Sequence, residues 1–366
     1  MRIALIILHD DPARGGAERY TRDLAASLTQ HGHDARIVAA SSTAGAVTLP
    51  ASGASRSGLY RDFCNQLTPY LAAESFDLVH AMLPLPPGVA DLYHPHAGVA
   101  TAEHPTRSGK WLSWLSNPRR RLFAKVERDM LRAPPAPVTL TLSQYVEDQL
   151  RRDHPAATAR RLFNGVDVAR FCPDGPAIAR DELGLSKGAV AGLFVGNDPV
   201  RKGLREAMNL LPAFPRFHLL VAGRFDTKSY EAAGRQLGVG PRVHFLGPRD
   251  DVPALYRSAD LLVQLTRHDP CSLATLEALA SGLPVLSTKT NGATEVMTSG
   301  VHGEVIDAAD DGEAARAAVR RLLDGETLAD ARQACTQLRP LLSWQTHVDT
   351  LVDIYADLLQ ARAERA

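Results

Sequence analysis

The stretch richest in chemistry is Asp269-Pro270-Cys271-Ser272-Leu273-Ala274-Thr275-Leu276-Glu277, which runs on to Gly282-Leu283-Pro284. Ser272 is suited to cap a helix and Gly282 to stop it, with Pro284 just beyond. Asp269 then falls in the loop before the helix and Glu277 in its second turn. Amides around Ser272 and Leu273 would face outward as donors, where a helix start favours anions and polar oxygens. A carboxylate is a strong acceptor for paired sugar or ribose hydroxyls. Taken alone, the same residues read equally as a capped helix with a solvated glutamate and an ordinary turn aspartate.

Other places carry similar interest. Gly15-Gly16-Ala17-Glu18 lies between an apolar run and a helical stripe. Paired glycines let backbone approach a phosphate with no Cβ in the way, and a helix start adds attraction. Such a pair can equally be a mere turn. Arg201 and Lys202, in Gly196-Asn197-Asp198-Pro199-Val200-Arg201-Lys202-Gly203, could offset a diphosphate or form a solvated basic loop. Asp91, His94 and His96 share the stretch Asp91-Leu92-Tyr93-His94-Pro95-His96-Ala97-Gly98. His96 is the favoured ligand-facing ring, because Ala97-Gly98 leaves the backbone room. A surface or satisfied core histidine is the alternative for each.

These residues need a frame. Short apolar strands alternate with amphipathic helices throughout, the pattern of parallel sheets with helices on both faces. Residues 3–8 read as a buried strand. A helix follows with Ala17, Tyr20, Leu24 and Leu28 on one stripe and Gly32 as its stop. Residues 35–40, 76–81 and 138–142 are further strands, and 41–58, rich in Ser, Ala, Thr and Gly, reads as a mobile loop. The pattern restarts with strands at 190–195, 217–222, 243–246, 260–265 and 284–287. Cys172-Pro173-Asp174-Gly175-Pro176 reads as a linker. The expected division is 1–172 and 173–344, with a last helix near 345–366 packing back on the first domain. Ligands of such sheets bind at strand carboxyl ends, by default in a cleft between domains.

Composition excludes several classes. The 366 residues suit two domains. Lys plus Arg and Asp plus Glu number 41 each, so no global charge draws the chain to nucleic acid. Cys64, Cys172, Cys271 and Cys335 form no C-x-x-C pair, and the 13 histidines form no H-E-x-x-H. Inert thiols in a reducing compartment and no protein-built metal site are expected. Six apolar residues at 3–8 are too few for a secretory leader, and no later run approaches the ~18 residues of a membrane span. A cytoplasmic location is expected. No G-x-G-x-x-G follows the first strand, which disfavours a Rossmann dehydrogenase.

The stretch 269–284 resembles the signature of retaining GT-B glycosyltransferases of family 4, the glycosyl transferases group 1. In that family two glutamates with seven residues between them precede a small-Gly-x-Pro turn. Here Asp269 stands first, one methylene shorter, while Glu277 and Gly282-Leu283-Pro284 match. Asn164-Gly165-Val166-Asp167 with Phe171, Val221-Ala222-Gly223-Arg224, Val243–Gly247, Val252–Tyr256 and Asn291-Gly292-Ala293-Thr294-Glu295 match further family elements. The likeness is tight in the second half and loose in the first.

The resemblance implies an α/β GT-B fold, two Rossmann-like doubly wound domains facing across a cleft. The 1–172 domain would bind the acceptor and the 173–344 domain the nucleotide sugar. Asp269 and nearby amides would hold the donor sugar's hydroxyls, and Glu277 the nucleotide ribose. Gly15 and Gly16 would face the diphosphate and acceptor. Arg201 and Lys202 would neutralise the leaving diphosphate, Arg201 sharing the duty of an arginine that the family more often has where Asn197 stands. His96 or His94 would reach the donor sugar. The catalytic candidates are therefore Asp269, Lys202, Arg201 and His96. The substrate-binding candidates are Gly15, Gly16, Gly196, Gly223, Arg224, Cys271, Ser272, Leu273, Thr275, Glu277, Asp91 and His94. No metal and no cofactor beyond the nucleotide-sugar co-substrate is expected.

Retention is implied too, with no enzymic nucleophile: the departing phosphate oxygen takes the acceptor proton, and the enzyme positions and stabilises charge. UDP and glucose are the family-weighted donor. Residues 110–125 mix Trp111 and Trp114 with Lys110, Arg119, Arg120, Arg121 and Lys125, as segments at an anionic membrane surface do. Core tryptophans with solvated arginines, or a phosphorylated oligosaccharide, would explain them as well. The family includes lipopolysaccharide core glucosyltransferases, which this chain resembles at Asp-Pro-Cys-Ser and Asn-Gly-Ala. The implied acceptor is a lipopolysaccharide core or other lipid-linked glycan at the inner face of the cell membrane. A nucleotide-sugar epimerase and a non-catalytic nucleotide-sugar-binding protein are alternatives. A hydrolase using Asp269 and Glu277 is disfavoured, since both come from one loop-helix unit.

Overall fold

Strand β1 (Arg2–Ile6) sits mid-sheet because Ile3, Ala4, Leu5 and Ile6 are all fully buried, as a strand covered on both faces requires. The computed structural model describes residues 1–43, 45–96, 98–101 and 118–364. The chain divides into two units, one of Met1–Asn164 with Gln345–Ala366, the other of Gly165–Trp344.

In the first unit β1 pairs in parallel with β2 (Asp34–Ala39), which pairs with β3 (Val47–Thr48). On its other side follow β4 (Leu78–Ala81), β5 (Leu92–Tyr93), β6 (Val138–Thr141) and β7 (Ala159–Arg161). Among the described residues the sheet order is therefore β3-β2-β1-β4-β5-β6-β7. Helix α1 (Gly16–Gln30) buries Tyr20, Thr21, Leu24 and Leu28 and ends at His31, with Gly32 at a φ of 81°. Helices α2 (Arg56–Ala73) and α3 (Pro118–Arg132) contribute Tyr60, Phe63, Cys64, Leu67, Met130 and Leu131 to the core.

Residues 41–58, expected to be a mobile loop, are more ordered than that. Ser41–Ser42 pairs with His9–Asp10, and α2 starts at Arg56 with the Ser55 hydroxyl accepting the Gly58 amide at 3.0 Å. The cause is Asp10, whose buried carboxyl accepts from Arg22 Nε at 2.7 Å and Ser42 Oγ at 2.7 Å. The last helix, α4 (Trp344–Ala363), belongs to this unit. The segment 102–117, with Trp111 and Trp114, lies outside the described residues, as does Ala97. Among the described residues no helix is long and apolar enough to cross a membrane.

The second unit has strands β8 (Val190–Val195), β9 (Phe217–Ala222), β10 (Val243–Gly247), β11 (Leu261–Gln264), β12 (Val285–Thr288) and β13 (Gly303–Ile306). All pairings are parallel, in the order β10-β9-β8-β11-β12-β13. Phe194, Phe217, Leu219, Leu261 and Leu286 meet in its core. The division falls at Asn164/Gly165, not at 172/173. The physical reason lies in two arginines. Arg339 donates to the carbonyls of Val168 and Phe171, and Arg257 to those of Cys172 and Pro176. The stretch expected to be a linker is thereby fastened to the second unit.

Candidate functional site

The chain runs from β8 outward to β10, then returns to β11 on the other side of β8. Strand order reverses there, and in open α/β sheets ligands bind outside the carboxyl ends at such a point. Two loops leave those ends, 196–203 after β8 and 265–272 after β11. Gly203 lets them touch: its φ is 78°, and a Cβ there would lie 1.8 Å from the Leu265 carbonyl oxygen. Gly223, ending β9, has the same role toward Gly196, whose carbonyl oxygen would be 2.1 Å from an added Cβ.

The first loop is shaped by Asp198, which accepts the Arg201 amide at 3.0 Å. It delivers both cations to Asp269. Lys202 Nζ is 2.7 Å from Asp269 Oδ2, and Arg201 Nη1 is 3.0 Å from the same oxygen. Burial pushes the Asp269 carboxyl up, but Lys202 and Arg201 outweigh it and hold it below the usual carboxylate range. Asp198 stands 3.4 Å from Arg201 on the exposed side.

Ser272 occupies the position before helix α5 (Leu273–Ala280), but its hydroxyl makes no cap bond. It accepts from Lys202 Nζ at 2.9 Å and donates to Gln264 Oε1 at 2.7 Å. A buried ammonium needs acceptors more than the helix needs a capping hydroxyl. Gln264, at the end of β11, also donates to the Val195 carbonyl at 2.7 Å, tying the two strand ends together. Sequence reasoning missed Gln264; its signal is a fully buried amide ending an apolar strand. Asn291 completes the frame. Its Oδ1 accepts the Ser272 amide at 3.2 Å, and its Nδ2 donates to Thr275 Oγ1 at 2.9 Å.

Around this core, Glu277 is half-buried with Oε2 2.9 Å from the Tyr256 hydroxyl. Cys271 and Thr275 are buried, and Leu273 is half-buried. Arg224 is exposed, its amide held by Asn197 Oδ1 at 2.9 Å. The structure thus gathers Arg201, Lys202, Asp269 and Ser272 into one charged cluster, with Gly196, Gly223, Arg224, Thr275 and Glu277 on the elements around it.

The first-unit candidates divide. Gly15 is extended at the start of α1, and an added Cβ would meet only the flexible end of Glu18, at 3.1 Å. Gly16 is the first, exposed residue of that helix. His94 and His96 follow the carboxyl end of β5. Their rings lie 4.1 Å apart between centroids, and Tyr20 is 4.1 Å from His96. Burial, then the histidines around them, pushes His96 down to about 3 and His94 well below its ordinary value, so both rings are neutral at pH 7. Asp91 is not with them. It precedes β5, at the opposite end of that strand, and its carboxyl accepts the Val79 amide at 2.8 Å and pairs with Arg362. That makes it a tie between β4 and α4, not part of a site with His94.

Two doubly wound parallel units define the GT-B class of glycosyltransferases. WaaG, a glycosyltransferase involved in lipopolysaccharide biosynthesis, matches with a TM-score of 0.80 at 22% identity, over 96% of this chain and 99% of its own. Sucrose-phosphate synthase from Thermosynechococcus elongatus gives 0.79 at 22%, over 98% and 99%. Anabaena HepE in complex with UDP-glucose gives 0.75 at 18%, over 98% and 100%.

Residues 14–170 match the profile of Glycosyltransferase Family 4, and residues 178–337 that of Glycosyl transferases group 1. The chain belongs to this glycosyltransferase family. D-inositol 3-phosphate glycosyltransferase of Corynebacterium kroppenstedtii is 29% identical over 54% of this chain and 48% of its own. Glycogen synthase of Mycobacterium tuberculosis is 28% identical over 79% and 70%. The chain spans about half the length of the first of these relatives.

Proposed function

We propose that the chain transfers a hexose, glucose, from a UDP-linked donor to a saccharide hydroxyl with retention of anomeric configuration. The observation that carries this is the Arg201–Lys202–Asp269 cluster at the point where the second unit's strand order reverses. A diphosphate arriving there would take Arg201 and Lys202 as partners, and Asp269 would turn to sugar hydroxyls. Glu277, steadied by Tyr256, would accept the ribose hydroxyls. Buried Lys202, with half-exposed Arg201 beside it, would stabilise charge developing on the leaving diphosphate more strongly than a cation free in water. The role a metal could play in offsetting that charge falls to them, so neither metal nor added cofactor is required. The departing phosphate oxygen takes the acceptor's proton. UDP-glucose as donor is supported by its presence in the HepE complex of the same fold.

The first unit reads the acceptor, which we take to be a lipopolysaccharide core or other lipid-linked glycan at the inner membrane face. Arg121, Lys125, Arg128 and Arg132 on α3 support this, since all are exposed at spacings of four, three and four that align them on one helix face. About 1 kcal/mol per basic residue near an anionic leaflet would hold the chain there reversibly.

A panel of nucleotide sugars, scored for nucleoside diphosphate release with and without a lipooligosaccharide extract and with no added metal, tests the reading. Release from UDP-glucose that needs the extract supports it. No release with any donor, together with no nucleotide binding by calorimetry, overturns it.

A further inference from the structure

His94 is completely buried, and among the described residues neither of its ring nitrogens has a hydrogen-bond partner. His96 Nε2 and His80 Nε2 are also buried, with no partner among the described residues. The ring torsion of a histidine is broad and roughly two-fold. With no hydrogen bond to set it, the orientation of His94 is fixed by the rings it touches. Those are His80, stacked at 5.5 Å and 16°, His96 at 4.1 Å, and Tyr20, edge-on at 5.3 Å. Tyr20 also lies 4.1 Å from His96. Tyr20 and His80 therefore set how the His94 and His96 rings are turned.

Both are held from the last helix. The His80 Nδ1 is 2.7 Å from the Tyr355 hydroxyl, and the Tyr20 hydroxyl is 2.8 Å from His347 Nε2. His347 Nδ1 lies 2.6 Å from the Phe163 carbonyl oxygen, which can only accept. Nδ1 therefore carries the proton, and Nε2 of the neutral ring is left to accept from Tyr20. Tyr355 and His347 are two turns apart on α4, so a single helix face supplies both supports.

We propose that Tyr355 and His347 are positioning residues for the transfer reaction: by fixing His80 and Tyr20 they set the ring orientation of His94 and His96 toward the sugar. This rests on the reading that His96 or His94 meets the donor sugar. A ring turned over about its Cβ–Cγ bond would present carbon where a hydroxyl needs nitrogen, and misplacement of about 1 Å can cost on the order of 100-fold in rate.

Tyr355→Phe and Tyr20→Phe each delete one hydroxyl and keep the ring. Histidine side chains of the full-length chain, labelled with nitrogen-15, would be followed by NMR, with His94→Gln and His96→Gln used to assign their signals. Alongside, kcat and KM for UDP-glucose would be measured. We expect at least one phenylalanine variant to move the His94 or His96 ring signals and to lower kcat by about 10-fold or more, with KM changed less than threefold. Melting temperature should stay within a few degrees, and the folded variant of the two decides if the other fails. His94 and His96 signals unmoved in both variants, or in the one that folds, overturn the proposal. Moved signals with unchanged kcat overturn it as well, since the rings would then not serve transfer. Moved signals in a chain whose wild type turns over no nucleotide sugar support the positioning and reject the transferase reading instead.

Discussion

Lys202 Nζ lies 2.7 Å from Asp269 Oδ2, and the two residues expose only 8% and 6% of their surface. A pair so withdrawn from water is worth keeping only if its partners are arranged to compensate the lost hydration. Here Ser272, Gln264 and Arg201 do that. The same arrangement leaves the ammonium poised to exchange one anion for another.

Lys202→Met tests this exchange. We expect turnover to fall by about 10²–10³, the usual cost of removing one preorganised donor from a developing anion. Arg201 still pairs with Asp269, so the chain should fold. The Asp269 carboxyl should rise, because burial would then be opposed by one cation instead of two. In the native chain that carboxyl is held down, so its contribution to stability is complete above its unfolded value of 3.8 and fades as pH falls through its lower folded value. In the variant the folded value moves back toward 3.8, so less stability is lost between pH 6 and pH 3 than in the native chain, read from urea midpoints across that range. Near-native turnover would remove Lys202 from the mechanism.

Gly203 is the hinge on which that cluster depends. Gly203→Ala should cost at least about 2 kcal/mol, combining a left-handed backbone with a Cβ driven into the Leu265 carbonyl. Gly238→Ala is the control: its φ is 67°, but nothing lies within 4 Å of an added Cβ. It should cost about 1–2 kcal/mol, the backbone penalty alone. Denaturant unfolding of the two proteins checks the difference, and equal losses would show that the loop contact is soft.

How far the sequence alone reaches is visible strand by strand. Residues 190–195 and 217–222 read as strands to the residue, because buried parallel strands are unbroken apolar runs. Gly303–Ile306, with its glycine and glutamate, and the two-residue Leu92–Tyr93 carry no such signal. The second omission misplaced Asp91. With β5 unseen, Asp91 and His94 appear as loop neighbours, whereas a strand between them sends them to opposite ends of the sheet. At the second-unit site, residue types on two separate loops pointed to charge and hydroxyl recognition. That Arg201 and Lys202 spend their charge on Asp269 could not be read, since contacts between distant loops depend on sheet order.

The buried histidines of the first unit make an acid-lability prediction. Burial, first among the causes, pushes His80 and His96 down to about 3 and His347 to about 4, from an ordinary 6.5. The unfolded chain therefore binds protons that the folded chain refuses, and stability is lost as pH falls below 6.5 until the folded values are reached. Each such ring contributes about 1.4 kcal/mol per pH unit in that window. Melting temperature should drop steadily from pH 6.5 to 5. His80→Asn should flatten the slope by about one proton. A melting temperature level across that range would mean the rings find partners when charged.

Glu127 offers the sharpest test of the first unit's polar interior. Its carboxyl is completely buried on α3. Oε2 accepts from the Tyr93 hydroxyl at 2.6 Å and the Ala100 amide at 2.8 Å. Oε1 accepts from the Thr101 amide at 3.0 Å and lies 3.5 Å from His154 Nε2. One side chain thus serves a hydroxyl from the strand before His94 and two amides from the segment after His96. Glu127→Ala would strand one buried and two half-buried donors at once. At about 1–3 kcal/mol for each unsatisfied group, partly relieved by entering water, we expect a loss of about 3–5 kcal/mol. Glu127→Gln keeps one acceptor oxygen and should lose about half as much. If the histidine rings depend on this anchor, hydrogen exchange at Ala100 and Thr101 should rise in both variants, and more in Glu127→Ala. Exchange that stays slow would show that ring packing by Tyr20 and His80 holds the segment without the carboxyl.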